Sequence, residues 1–159
     1  NIFFRISMIN HLEKRLLPFR AEEMLSLVAD VDKYPEFLPW CSAARIRSRE
    51  AGTGAHEEIF YADLVVGFKI FREKFLSKVT INSDDLVIEV EHIEGPFRLL
   101  TNRWAFLPFD QTCEVQFSVE FEFKSRILQK AMETFFNESM KKIVLAFEKR
   151  AEELYGNRK

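Results

Sequence analysis

The chain has 159 residues, which fits one domain able to bury its own core and is short for two independent ones. Its 23 basic and 25 acidic residues leave a net charge of -2 and are spread along the whole sequence, which argues against DNA or RNA binding through a concentrated positive field. Seventeen Phe, two Trp and three Tyr, against five Gly and five Pro, indicate either a heavily packed core or the wall of a large apolar cavity.

Residues 1–7 precede Met8 and show no clear periodicity. They are read as extra residues ahead of a single domain spanning 8–159. Residues 11–17 alternate weakly and read as a first strand ending at Pro18. From Ala21 the pattern becomes helical, with Met24, Leu25 and Val28 on one face and Glu22 and Glu23 in the first turn, where carboxylates favour the helix dipole. Asp32 is expected to cap a second, short helix, with Pro35 in its first turn and Pro39 stopping it.

Residues 43–49 read as a strand with Ala44 and Ile46 inward and Arg45, Arg47 and Arg49 outward. Gly52-Thr53-Gly54 turns the chain into a strand over 57–66 whose Phe60, Ala62, Leu64 and Val66 share a face, and Gly67 marks the next turn. A long strand follows over 68–81, with Phe71, Phe75, Val79 and Ile81 on one side and Arg72, Lys74 and Lys78 on the other. Asn82-Ser83-Asp84-Asp85 is a polar turn, Leu86, Ile88 and Val90 begin a fifth strand, and Gly95-Pro96 leads into a sixth with Leu100, Trp104 and Phe106.

The seventh strand has the clearest pattern. Cys113, Val115, Phe117, Val119, Phe121 and Phe123 face one way, while Glu114, Gln116, Ser118, Glu120, Glu122 and Lys124 face the other. Residues 125–155 repeat apolar positions at three- and four-residue steps (Leu128, Met132, Phe135, Phe136, Met140, Ile143, Val144, Phe147, Ala151, Leu154), and Gly156 is placed to end the helix.

One helix covering one apolar face of a curved antiparallel sheet of six to seven strands is an α+β arrangement in which the sheet wraps the helix. A curled sheet cannot touch a straight cylinder everywhere. The gap is either filled by side chains or is an elongated tunnel walled by residues such as Phe60, Leu64, Phe71, Phe75, Trp104, Phe106, Phe117, Phe121, Phe136 and Met140.

Cys41 and Cys113 stand far apart, with no second cysteine near either to make a redox pair or zinc knuckle, and read as small buried hydrophobes. With no disulfide framework and no signal peptide, a cytoplasmic location is expected. The apolar runs are too short and too interrupted to span a bilayer. His11, His56 and His92 read as surface residues with no HExxH, GxSxG, P-loop or GxGxxG nearby, so no catalytic residue, metal ligand or required cofactor is assigned and an enzyme is not expected. A carboxylate buried inside the sheet, for which Asp63 and Glu73 are candidates, would reopen that question.

The stretch VADVDKYPEFLPWC at residues 28–41, with ADLVVGF at 62–68, Gly95-Pro96-Phe97 and Asn102-Arg103-Trp104, strongly resembles the coenzyme Q-binding (Coq10) family of the START and polyketide-cyclase superfamily. The resemblance runs from about Met8 to the end. It implies the helix-grip fold, with the element order just read, and binding of ubiquinone or a related polyprenyl lipid carried or chaperoned for the respiratory chain. Such a tail gains about 25 cal/mol per Å² of apolar surface hidden.

A quinone head has only acceptors, so donors are expected near one end of the tunnel. The candidates are Tyr61, Lys69, Arg72, Asn102 and Arg103. The signature residues Tyr34, Pro35, Phe37, Leu38, Pro39 and Trp40 form either a tunnel rim in peripheral contact with a membrane, where Trp prefers to sit, or a plug at one end of the core. Close bacterial relatives resemble the RatA ribosome-association toxins, a role that would need ribosomal contacts, for which Arg45, Arg47 and Arg49 are the evident basic stripe. Other superfamily members cyclise or dehydrate polyketides.

Overall fold

The structure is a computed structural model and describes residues 8–68 and 71–156. Residues 1–7 and Lys69 lie outside that range. The chain begins with strand β1 (Ile9–Leu17), helix α1 (Ala21–Ala29) and a 3-10 helix (Val31–Glu36). Strands β2 (Cys41–Ala51), β3 (Glu57–Phe68), β4 (Phe71–Asn82), β5 (Val87–Glu94), β6 (Phe97–Phe109) and β7 (Thr112–Phe123) follow as a meander, and helix α2 (Arg126–Tyr155) ends the fold.

All seven strands form one antiparallel sheet in the order β1-β7-β6-β5-β4-β3-β2. The strands that open the chain on either side of α1 therefore lie on opposite sheet edges, and α1 with the 3-10 helix carries the chain between them. Alternation accounts for β7: every odd-numbered residue from Cys113 to Phe123 is buried, and every even-numbered one is partly exposed. Register transmits that phase. Phe117 pairs with Trp104 and Phe121 with Leu100, so the apolar face continues into β6.

Helix α2 is started by Ser125, whose Oγ accepts from the Leu128 N–H at 3.3 Å. It packs mainly against β1, β7 and α1, burying Phe136, Val144, Phe147 and Ala151. Each large side chain so buried contributes about 1.5–3 kcal/mol of transfer free energy. Because the helix leans on the β1–β7 side, the concave face of β3, β4 and β5 is left with space beneath it.

Several expectations are corrected. The short helix is a 3-10 helix preceded by Asp30 rather than Asp32, and Pro35 is its fifth residue, tolerated because a 3-10 turn this short asks little of the proline's missing N–H. Strand β3 runs through Gly67 to Phe68, so the turn comes later than Gly67. Leu86 is a turn residue with φ 57° rather than the start of β5. A bulge between Ile46 and Ser48 reverses the phase of β2, placing Arg49 opposite Phe60 with its guanidinium 5.1 Å from that ring. On α2, Phe135 and Leu154 are exposed, since the helix presents Phe136 and Ala151 to the sheet instead.

Candidate functional site

The space between the sheet and α2 is a cavity of about 280 Å³. Of the residues expected to line it, Leu64, Phe75, Trp104, Phe117, Phe121, Phe136 and Met140 do so, joined by Val66, Phe97, Leu100, Met132, Ile143 and Phe147. Phe60 and Phe106 face the same side of the sheet but are packed into the core beyond the cavity wall. Tyr61 is corrected: neighbouring strand residues point to opposite faces, so it lies on the outer surface, where its hydroxyl donates to Glu50 Oε1 at 3.4 Å. Phe71 has its backbone in β4, and its side chain lies outside the described residues.

The signature segment divides its work. Tyr34, Leu38, Pro39 and Trp40 wall one end of the cavity, beside Cys41, Val66, Gly67 and Glu73. The Trp40 carbonyl accepts the Gly67 N–H at 2.8 Å, which fastens this end to β3, and Trp40 itself holds φ 67°, an uncommon conformation for so bulky a residue. Phe37 turns away from the cavity onto α2, with its ring 5.2 Å from that of Phe147 and the Arg150 guanidinium 5.3 Å from its own. Arg150 also donates to Glu36 Oε1 at 2.8 Å. Pro35 is exposed on the outside of the 3-10 helix. The segment thus walls one end of the cavity and clamps α2.

Few polar groups line the cavity, and most are engaged internally. Tyr34 Oη donates to the Val28 carbonyl, Ser139 Oγ to the Phe135 carbonyl at 2.8 Å, and Cys41 Sγ to the Ala43 carbonyl at 3.6 Å. Asn102 Nδ2 donates to the Ser118 carbonyl at 2.9 Å while its Oδ1 accepts from Trp104 Nε1 at 3.1 Å. Burial raises the pKa values of Tyr34 and Cys41, and pushes that of Cys113 up to about 11, so neither thiol is poised as a nucleophile.

No lysine, arginine or histidine lines the cavity among the described residues. Of the donors expected for a ligand head, Asn102 faces inward; Arg72 and Arg103 are exposed, Arg103 lining a depression on the outer face of the sheet with Glu89, Glu91 and Glu120.

Asp63 lies on the outer face and pairs with Arg47 at 3.6 Å. Glu73 lines the cavity, but half-buried, at the Trp40 end. His92, on β5, pairs in register with Ser77, four residues along β4 from Glu73 and so roughly 13 Å away at the rise of a strand. That is too far for an acid–base couple. His11 is a correction of another kind: its side chain is largely buried, bonded through Nε2 to Glu13 Oε1 at 3.0 Å. Glu13 in turn meets Arg15 at 3.5 Å, and Arg15 meets Glu148 of α2 at 2.6 Å, so this chain of charges ties β1 to α2 away from the cavity wall. No helix among the described residues is long and apolar enough to cross a membrane.

The sheet that grips one long helix over an apolar cavity matches the family model described as polyketide cyclase/dehydrase and lipid transport, over residues 17–148. The chain belongs to that family. Within it the chain falls among the Coq10 and RatA proteins. It is 36% identical over 150 residues to the ribosome association toxin RatA of Rickettsia prowazekii, covering 92% of this chain and 99% of that one. It is 34% identical over 152 residues to the mitochondrial coenzyme Q-binding protein COQ10 homolog B of Xenopus laevis, covering 93% of this chain and 60% of that longer protein. An 18 kDa protein of Caulobacter crescentus has a solution structure that superposes with a TM-score of 0.75 at 33% identity, covering 93% of this chain and 99% of that one. The helix-grip fold anticipated from the signature segment is the fold of this family.

Proposed function

We propose that the chain is a lipid-binding protein rather than an enzyme, and that it takes up ubiquinone or a related polyprenyl lipid in the cavity between sheet and α2, as a carrier or chaperone for respiratory electron transport. One observation carries the reading: the cavity wall is predominantly aliphatic and aromatic, and most of its few polar side chains are already bonded to the protein itself. Each 100 Å² of apolar ligand surface hidden there contributes about 2.5 kcal/mol.

The volume sets a limit. About 280 Å³ lies just below the usual range for small-molecule sites, roughly 300–1,000 Å³. It suits a ring with its first isoprene units, while a longer tail emerges or spreads the walls. Trp40 and Pro39, at one end, would then meet the membrane interface from which such a lipid is collected.

A second reading, a ribosome-directed role, is favoured by one observation: the RatA relative matches nearly end to end. Its physical support is thin. The basic stripe is interrupted, because Arg47 pairs with Asp63, and Arg49 pairs with Glu58 across the bulge.

Organic-solvent extraction of the purified protein, followed by mass spectrometry, tests the proposal. A stoichiometric polyprenyl quinone supports it. An empty extract, with no uptake of added quinone, counts against it and moves weight to the ribosome, where sedimentation of subunits with added protein is the next test.

A further inference from the structure

Strand β4 presents Phe75, Ser77, Val79 and Ile81 to the concave side, and Ser77 is the polar member of that apolar row. Its side chain lines the cavity, is 1% exposed, and its Oγ has no hydrogen-bond partner. A buried hydroxyl left unpaired costs free energy that an apolar residue of the same size would not. Its neighbours raise the contrast: Tyr34, Cys41, Asn102 and Ser139 each spend a polar group on the protein.

Two further features converge on the same place. Across the ladder His92 pairs with Ser77, and its Nε2 is also buried without a partner. The β4–β5 register shifts between Leu76 and Ser77, an irregularity of the kind that re-aims side chains beside binding sites. The His92 ring sits edge-on to Phe97, which itself lines the cavity, at 5.4 Å.

We infer that Ser77 Oγ is the hydrogen-bond donor that anchors an uncharged acceptor group, such as a ring carbonyl, on a lipid bound head-first in the cavity. The acceptor is not an anion, because no lysine, arginine or histidine among the described residues lines the wall to neutralise a carboxylate or phosphate, and the wall carboxylate Glu73 lies roughly 13 Å along β4 from Ser77. With entry at the Glu73 and Trp40 end, where the lipid-binding reading has the lipid collected, the head leads, because Ser77 lies roughly 13 Å further along β4 at the rise of a strand. The inference rests on the lipid-binding reading and adds to it an orientation and a headgroup class.

The test compares two probes on the intact chain and on Ser77→Ala: a ubiquinone carrying two isoprene units, and squalene, an isoprenoid hydrocarbon with no acceptor. Ser77→Ala conserves nearly all the volume and removes only the unpaired hydroxyl, and a thermal melt confirms that it folds. The expected result is a loss of about fivefold in quinone affinity, the size of one neutral hydrogen bond, with squalene affinity unchanged. Equal losses for both probes would show that Ser77 merely shapes the wall, and an unchanged quinone affinity would show that it makes no bond; either overturns the inference and leaves lipid binding standing. If the unsubstituted protein binds neither probe, the lipid-binding reading fails and the anchor falls with it.

Discussion

Trp104 donates its indole N–H to Asn102 Oδ1 at 3.1 Å, from two residues further along the same inward face of β6. Because the Asn102 amide also donates to the Ser118 carbonyl on β7, this side chain holds one of the two indole rings of the cavity wall to the neighbouring strand. Asn102 is thus a positioning residue. Asn102→Leu leaves the Trp104 N–H buried without that partner, and a loss of about 1–3 kcal/mol in stability is expected from urea unfolding. An unchanged midpoint and slope would show that the indole finds another acceptor.

The turn between β5 and β6 depends on a backbone that a side chain would strain. Gly95 has φ 145°, and a Cβ placed there would lie 2.6 Å from Phe75 Cβ and 3.1 Å from His92 Nε2. Gly95→Ala is therefore expected to destabilise the fold by at least about 1–3 kcal/mol and to displace Phe75, a cavity-wall residue. Thermal unfolding reads the first effect and quinone affinity the second. Wild-type values for both would refute the close approach.

His92 makes stability depend on pH in a defined direction. Burial, with a contribution from Lys124, lowers its pKa below the ordinary 6.5. In the window between the lowered value and 6.5 the unfolded chain binds the proton and the folded chain does not, so the stabilisation is intact above 6.5 and is lost as pH falls through that window. His92→Gln should flatten this part of the profile in urea unfolding at pH 7.5 and 5.5. Parallel profiles for the two proteins would assign the dependence to other groups.

Filling the cavity should separate binding from folding. Leu64 is a partly buried wall residue on β3, and Leu64→Trp adds bulk into space rather than into the packed core. The variant is expected to melt within a few degrees of the parent while losing at least tenfold in quinone affinity. Retained affinity would place the ligand elsewhere.

The periodic parts of the chain were legible, because a period of two or 3.6 residues follows directly from backbone geometry. Strand β7 and helix α2 are the clearest cases. Phe60 and Tyr61 are adjacent on β3 and cannot both face the cavity, and Phe135 and Phe136 differ by a full step around α2, which buries only the second. Ser77 stands in phase with Phe75, Val79 and Ile81, and that mismatch of residue type and position is the signal the sequence carries for it. What alternation could not separate was core from cavity. Phe60 and Phe106 face inward as expected, yet whether an inward residue meets space depends on where α1 and α2 come to rest, a property of the assembled layers.

Both tryptophans of the chain, Trp40 and Trp104, line the cavity, so intrinsic fluorescence reports on its contents. Titration with a short-tailed ubiquinone, an efficient quencher of indole emission on contact, is the most direct test of the central claim. Saturable quenching of most of the emission at one quinone per chain, weakened in Leu64→Trp after allowing for its added indole, is the predicted result. Quenching that rises linearly without saturation would contradict it, since it would mean that quinone meets these rings only by collision.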